Sequence, residues 1–181
     1  MDFKTKRSAP IAEIKRPAGV LENPNFQRWF SGSKVVDGLG TPLVVYHGTK
    51  QEFTTFDHRM LGMSSDHPAS GLGFQFTDNK DAALEYASLS GGTKVIEVFL
   101  AMKKPKVYST RQYLRIMDDL ENGNDNAADL SARLKEKGYD GIIAVGDEYD
   151  GTHFIVFDPR QIKSASANDG SFDPGNPDIT K

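Results

Sequence analysis

Cysteine is absent from the 181-residue chain, and so is any long apolar segment. Without thiols the protein has no disulfides, no thiolate nucleophile and no Cys-ligated zinc site. The longest mainly apolar run, residues 41–46, is far shorter than the ~20 residues that a transmembrane helix requires. Residues 1–20 lack the apolar core of a secretory signal peptide. These absences exclude disulfide scaffolds and predict a protein with no membrane partner.

Neither sign of charge is in large excess. The chain has 22 Lys and Arg against 25 Asp and Glu, which gives a net charge of −3. This balance predicts no broad basic surface for nucleic acid. The length fits one domain with short tails, and the hydrophobic share of 38% with a mean hydropathy of −0.50 is typical of globular proteins.

Both ends differ in composition from the middle. The first twenty residues carry five basic and two acidic side chains, a local charge of +3. We interpret residues 1–21 as a basic arm that is poorly ordered or that contacts an acidic partner. Residues 166–181 are rich in Gly, Pro, Asn and Asp, which predicts a disordered tail. A single domain is therefore expected over residues 22–165.

The middle of the chain has the pattern of a mixed domain. Asn23 before Pro24 predicts a helix start, and Asp78 predicts the cap of a second helix that ends near Leu89. Apolar stripes predict further helices over residues 113–120 and 127–134. Apolar runs predict a hairpin over residues 35–46 and strands over residues 74–76, 95–102, 142–145 and 154–157. Because strands and helices do not alternate regularly, we expect an α+β fold with inserted helices and a mainly antiparallel sheet that is split in two.

Several common catalytic sites find no support in the sequence. The four histidines are His47, His58, His67 and His153. They show no HxH or HxxxH spacing, so no metal site is expected. No serine lies in a G-x-S-x-G turn. Gly71 and Gly73 resemble half of a dinucleotide fingerprint, but they precede a strand instead of following one, which argues against a Rossmann fold.

Three segments remain as candidates for a binding site. In the first, His47, Gly48 and Thr49 follow an apolar strand. A glycine at the end of a strand leaves backbone groups accessible to a ligand. The structural alternative is a simple capped strand end.

The second segment runs from Gly71 through a short strand into the helix that carries Tyr86. Its glycines permit close approach of the backbone, and Ala82 and Ala83 beside one aromatic ring leave a slot for a flat ring. The structural alternative is that these side chains only pack on the sheet.

The third segment is an acidic loop that leads into a strand. Asp147, Glu148 and Asp150 precede His153, which begins the apolar run. Carboxylates at this position could stabilise a sugar cation. The structural alternative is a solvated loop.

In combination, the three segments resemble the ADP-ribosyltransferase superfamily. The similarity consists of His-Gly-Thr at 47–49, Gly-x-Gly-Phe-x-Phe-x-Asp at 71–78 with Tyr86 eight residues later, and Phe-Ile-Val-Phe-Asp-Pro-x-Gln-Ile at 154–162. The similarity is greatest to the diphtheria-toxin and poly(ADP-ribose) polymerase side of this superfamily. Within that side, residues 26–163 are similar to the small transferase domains of phage polyvalent proteins and bacterial toxins.

The resemblance implies the ADP-ribosyltransferase-like fold, NAD as co-substrate and no metal. In the family, the histidine of the first strand bonds the ribose of NAD, and the next glycine offers backbone groups to the nicotinamide amide. These positions are His47 and Gly48 here, with Thr49 beside them. The helix aromatic that stacks on nicotinamide corresponds to Tyr86. The strand next to the ring would contribute Phe74, together with the residue that follows it.

The chain departs from the family at three positions. Gln75 stands where a second stacking tyrosine is usual, and Ala83 stands where many relatives have a serine that bonds the amide. His153 stands where a glutamate orients the ribose 2′-hydroxyl and stabilises the oxocarbenium ion. A neutral imidazole accepts a hydrogen bond but supplies no negative charge. Glu148 is therefore the candidate replacement, and the neighbouring aspartates are weaker ones.

The resemblance implies a mono-ADP-ribosyltransferase that moves ADP-ribose from NAD to a macromolecular acceptor, most simply a protein, and releases nicotinamide. We expect a phage or bacterial toxin or effector in the cytoplasm of a bacterial host, delivered by phage or by secretion. Three alternatives stay open. They are a catalytically weak module that binds NAD, ADP-ribose or a partner protein, an NAD hydrolase without an acceptor, and a nucleic-acid-directed transferase steered by the basic arm. The oligomeric state is also open.

Overall fold

The computed structural model describes residues 19–63, 67–146 and 149–181. In these residues, helices and strands follow one another without a regular alternation. The helices are α1 (Pro24–Phe30), α2 (Lys80–Leu89), α3 (Thr110–Glu121) and α4 (Ala127–Glu136). The strands are β1 (Val45–Thr49), β2 (Phe74–Thr77), β3 (Lys94–Leu100), β4 (Pro105–Tyr108), β5 (Gly141–Ala144), β6 (His153–Val156) and β7 (Ile162–Ser164). Short 3₁₀ helices cover His58–Met60, Pro68–Gly71 and Pro159–Gln161.

The strands of the described residues form a seven-stranded sheet with the order β4-β5-β6-β2-β1-β3-β7. Neighbouring strands are antiparallel except β4 and β5, which run parallel. The predicted α+β fold with a mainly antiparallel sheet is confirmed. The sequence did not predict the edge strands β4 and β7, because each contains a lysine and neither forms an apolar run.

The join between β1 and β2 is the weakest in the sheet. These strands share a single register pair, Tyr46↔Thr77, whereas β1 and β3 share five pairs and β2 and β6 share four. Beyond Tyr46, β1 continues along β3 and separates from β2. The predicted split of the sheet corresponds to this join, and the two parts remain hydrogen-bonded in one strand order.

Side-chain caps fix where the helices begin. Asn23 caps α1 as predicted, with Pro24 in the first turn. The predicted cap of α2, Asp78, is wrong. Asn79 caps this helix, and its side-chain oxygen accepts from the amides of the first turn. The Asp78 carboxylate instead accepts a hydrogen bond of 2.7 Å from the Thr152 amide, so it joins the start of α2 to the loop before β6.

The predicted hairpin over residues 35–46 is present only as a short antiparallel bridge between Val36 and Pro42. Asp37 turns the chain between them, because its carboxylate accepts from the amides of Leu39 and Thr41 at 2.9 Å each. β1 then starts at Val45 and pairs with other strands.

Each face of the sheet packs against apolar side chains. One face, here called the phenylalanine face, carries a cluster that includes Phe56, Phe74, Phe76, Phe154 and Val45. The opposite face, here called the helical face, packs against α1 and α2 over β1 and β3, and against α3 and α4 over β5 and β6. Because successive side chains of a strand point to opposite faces, β1, β3, β5 and β6 each contribute to the clusters on both faces.

The C-terminal residues 166–181 pack onto the domain, in contrast to the predicted disordered tail. Phe172 and Ile179 are buried, with 2% and 4% of their surface exposed. The Ser164 amide donates to the Ile179 carbonyl, and the Ile179 amide donates to the Thr54 carbonyl, at 2.8 and 2.7 Å. Polar composition misled the prediction because the Asn and Asp side chains bond nearby backbone amides in turns, which leaves two apolar residues to anchor the segment. The limits of the domain at residues 22 and 165 stay a prediction, and residues 1–18 of the basic arm lie outside the described residues.

A buried lysine fastens this C-terminal segment. Lys163 of β7 has no exposed surface, and its ammonium group donates to the carbonyls of Asn176 and Asp178 at 2.7 and 3.0 Å. Burial lowers the pKa of Lys163, while the nearby aspartates oppose that shift. The lysine therefore ties the edge strand to the last residues of the chain.

Phe172→Ala is expected to lower the free energy of unfolding by about 3–5 kcal/mol. The ring packs against Phe26 and Trp29 with centroid distances of 5.1 and 5.9 Å, and its removal leaves a cavity. Chemical denaturation measures the change. Leu39→Ala is the control, because Leu39 is 93% exposed and its loss should cost less than about 0.5 kcal/mol. Equal stability of both variants would mean that the C-terminal segment does not pack as described.

Candidate functional site

Three neighbouring strands carry the predicted site residues. His47 lies in β1, Gln75 in β2, and His153 opens β6, and these strands are adjacent in the order β6-β2-β1. Thr77 of β2 pairs with His153. Because adjacent strands lie about 4.8 Å apart, the three positions lie within roughly 10 Å of one another across the sheet. The structure therefore brings the backbones of the three segments to one region.

His47 crosses the gap where β1 and β2 separate. Its Nδ1 lies 2.9 Å from the Gln75 carbonyl oxygen, and since a carbonyl only accepts, Nδ1 carries the proton. In the neutral ring Nε2 then holds the lone pair and can accept a hydrogen bond from a ligand hydroxyl. Burial lowers the pKa of His47 and outweighs the opposing effect of the Gln75 hydrogen bond. The ring packs against Phe56 and Phe76, with centroid distances of 5.1 and 5.5 Å, which favours this neutral form.

Gly48 lets helix α2 approach the end of β1. A Cβ atom at this position would lie 1.9 Å from the Ala83 carbonyl oxygen and 2.8 Å from the Ala87 nitrogen. Only glycine fits such a contact. Tyr86 immediately precedes Ala87 on α2, and its phenol lies near Tyr113. Thr49 bonds locally, with its hydroxyl donating to the Gln51 carbonyl at 3.2 Å.

A group of aromatic side chains lies between α2 and β6. The rings of Tyr113 and His153 have centroids 5.5 Å apart and are tilted by 31°. Burial raises the pKa of Tyr113 to about 12, and the nearby Tyr86 and Asp150 add to that shift. Tyr86 is 45% exposed. Tyr113 was not predicted as a site residue, because its helical spacing indicated only a core residue.

The loop before β6 is tied to β2 and α2 on its described side. The Thr77 hydroxyl donates to the Asp150 carbonyl, and the Asn79 amide group donates to the Tyr149 carbonyl, both at 2.7 Å. These bonds hold the loop next to the start of α2. Asp147 and Glu148 lie outside the described residues, so the predicted role of Glu148 stays a prediction.

The remaining strand residues differ from the expected arrangement. The Gln75 side chain donates to the Ala69 carbonyl at 2.7 Å, so its amide is engaged with the 3₁₀ helix Pro68–Gly71. Phe74, expected to contact the ring of the ligand, is 6% exposed and packs against Phe56 and His58 in the core. Phe74 directly precedes Gln75 in β2, so its side chain points to the phenylalanine face, away from Tyr86.

The predicted side chains thus divide between the two faces of the sheet. His47 packs on the phenylalanine face, whereas His153 packs with Tyr113 on the helical face, where α2 also lies. β1 and β2 separate between these two groups of side chains.

No group of three or more His, Asp or Glu side chains within residues 19–63, 67–146 and 149–181 is arranged to hold a metal ion. Among the helices of those same residues, none is long and apolar enough to cross a membrane.

Comparison with known families gives one match. Residues 37–172 match the family described as ADP-ribosyltransferase in polyvalent proteins. The match covers most of the chain, and the protein therefore belongs to this family, as the resemblance implied. ADP-ribosyl transfer is the general activity of the family, and NAD is its substrate. Searches of curated proteins and of solved structures found no match.

Gly48→Ala is expected to lower the free energy of unfolding by about 1–3 kcal/mol, because the new methyl group forces α2 away from β1. Thermal or chemical denaturation measures the loss. Gly38→Ala is the matched control, since a Cβ there meets nothing within 4 Å. If Gly48→Ala is as stable as Gly38→Ala, the close contact between α2 and β1 is wrong.

The low pKa of His47 predicts a pH-dependent stability. The pKa in the folded state lies below the ordinary value of 6.5. Between those two values the unfolded chain binds more protons, so stability falls as the pH drops from about 7 towards 5, by at most ~1.4 kcal/mol per pH unit from this group. In His47→Asn, whose amide can still donate to Gln75, this contribution is absent. Denaturation curves across this range should show the difference between wild type and variant shrinking as pH falls, and a constant difference would contradict the prediction.

Proposed function

We propose that the protein is a mono-ADP-ribosyltransferase that uses NAD as donor and a macromolecule as acceptor. The observation that carries the proposal is the separation of β1 and β2 beyond Tyr46, with Gly48 and α2 on one side of the gap and His153 on the next strand but one. Family membership supports the general reaction. The restriction to one transfer is inferred from His153 at the glutamate position.

In this proposal NAD lies through the gap. The nicotinamide ring stacks on Tyr86 and its amide meets the backbone of Gly48. Nε2 of His47 accepts a hydrogen bond from the adenosine ribose, which the Nδ1–Gln75 bond supports by fixing the tautomer. Tyr113 supplies a second ring near the site. The tyrosine that the family has on this strand is replaced by Gln75, whose side chain is hydrogen-bonded to the Ala69 carbonyl.

The reaction breaks the bond between C1′ of the ribose and the nicotinamide nitrogen. The bonding electrons leave with nicotinamide, which neutralises its pyridinium charge, and the ribose becomes an oxocarbenium ion. A lone pair of the acceptor forms the new bond to C1′, and the acceptor's proton passes to solvent. A nearby carboxylate lowers the barrier by stabilising the cation, and an interaction of this kind is worth about 3 kcal/mol.

We assign this carboxylate to Glu148, next to a loop that Thr77 and Asn79 fasten to the site. His153 then accepts a hydrogen bond from the ribose hydroxyl. The acceptor is proposed to be a protein in the cytoplasm of a bacterial host, in which the transferase acts as a toxin or effector of phage or bacterial origin.

Labelled NAD with bacterial extract tests the proposal. Wild type should transfer label to macromolecules, and Tyr86→Ala should reduce the rate about tenfold through lost stacking. Glu148→Gln should reduce it about a hundredfold, whereas Asp147→Asn should change it much less. Transfer that persists in His47→Ala would refute the assigned site, and nicotinamide release without labelled macromolecules would indicate hydrolysis.

A second candidate function is a module that binds NAD or ADP-ribose without turnover. The engaged Gln75 side chain and the imidazole at position 153 favour it, because both replace groups that catalysis uses in the family. Calorimetry that detects NAD binding, together with no product at high protein concentration, would support this candidate over the transferase.

A further inference from the structure

Thr77 is a buried polar residue at the end of β2, beside the candidate site. Only 3% of its surface is exposed. The register of the sheet pairs it with Tyr46 of β1 and with His153 of β6. Residues that are directly opposite each other on antiparallel strands have their side chains on the same face, with Cβ atoms about 5 Å apart. The Thr77 side chain therefore lies next to His153, on the helical face of the sheet.

The Thr77 hydroxyl group makes two hydrogen bonds that join separate segments of the chain. It donates to the Asp150 carbonyl at 2.7 Å and accepts from the Asn79 amide at 3.0 Å. The Asn79 side chain in turn donates to the Tyr149 carbonyl at 2.7 Å. Because Thr77 is buried, bulk water does not readily replace a partner that is lost there. One hydroxyl oxygen thus joins the start of α2 to the loop before β6.

Two glycines form the base of this loop. A Cβ atom on Gly146 would lie 1.6 Å from the Gly151 carbonyl oxygen, an approach of two backbones that only glycine permits. Gly151 itself has a φ of +74°, and a Cβ atom there would lie 3.0 Å from the Thr77 hydroxyl oxygen. The two ends of the loop therefore meet beside Thr77.

We propose that Thr77 is a positioning residue for the transfer reaction, because it holds the loop between Gly146 and Gly151 beside His153. This role rests on the proposed function, which takes its carboxylate from that loop. A carboxylate that stabilises the oxocarbenium ion acts in the transition state, so its displacement slows the chemical step and leaves NAD binding unchanged. A displacement of about 1 Å can reduce a rate by as much as about a hundredfold.

Label transfer from NAD by Thr77→Val and Thr77→Ser tests this role on the full chain. Valine has nearly the shape of threonine but no hydroxyl group, so kcat should fall about tenfold while the KM for NAD stays within about twofold of wild type. Serine keeps the hydroxyl group and should restore kcat to within about threefold of wild type. Thr180→Val is the matched control, because it removes a hydroxyl that donates to the Asp178 carboxylate at 2.7 Å in the C-terminal segment, and it should leave kcat unchanged.

Asn79→Ser provides a second test should Thr77→Val perturb folding. Serine still caps α2, but it lacks the amide group that donates to Tyr149, so kcat should fall in the same direction. Hydrogen exchange measured by mass spectrometry reports on the loop without reference to activity. Exchange over residues 146–153 should be faster in Thr77→Val than in wild type or Thr77→Ser, whereas exchange in α4 should not change.

The double variant Thr77→Val/Glu148→Gln shows whether Thr77 acts through the carboxylate. Because Glu148→Gln already lacks that charge, the added Thr77→Val should lower kcat by less than about twofold. A full tenfold loss in that background, or a higher KM at constant kcat, would overturn the positioning role. A normal kcat in Thr77→Val, or in Asn79→Ser where Thr77→Val does not fold, would also overturn it.

Failure of the positioning role is distinguishable from failure of the proposed function. Transfer by wild type that is lost in Glu148→Gln would uphold the proposed function whatever the Thr77 variants do. A wild-type protein that transfers no label would overturn both.

Discussion

The separation of β1 from β2 after one register pair is the constraint on which the rest of the site depends. Backbone groups that leave a ladder need other partners, and the His47 ring supplies one by donating to the Gln75 carbonyl. The same bond fixes the tautomer of the ring and spans the gap. On the other side of β1, Gly48 removes the side chain that would hold α2 away. One strand end therefore sets both the opening and the position of the helix beside it.

The sequence predicted the architecture well where patterns are long. The apolar run before His47, the glycines at 71 and 73 and the strand after His153 were placed correctly, because each is bounded by clear turn or cap residues. The edge strands were missed because their sequences, interrupted by lysine, form no apolar run. The cap of α2 was assigned one residue too early, since Asp78 and Asn79 are both good caps and only the contact with Thr152 distinguishes them.

The site was predictable as a set of positions but not as a set of side-chain directions. The sequence patterns placed Gln75 on a strand and His47 and His153 at strand ends, yet they did not show that β1 and β2 diverge or that Gln75 bonds Ala69. Tyr113 was out of reach because its approach to His153 depends on how α3 packs, which no local pattern encodes. Likewise, overall composition gave no sign that Lys104 and Lys106 both lie over the Tyr139 ring.

The hydrogen bonds from Lys163 to the carbonyls of Asn176 and Asp178 help the protein to resist association with other chains. β7 is an edge strand, and exposed edges can recruit strands from other chains. Here the returning segment occupies that edge through the bond between Ser164 and Ile179, and the lysine closes loops of 13 and 15 residues around it. A chain cleaved within this loop would therefore expose the edge of β7 and become prone to aggregation.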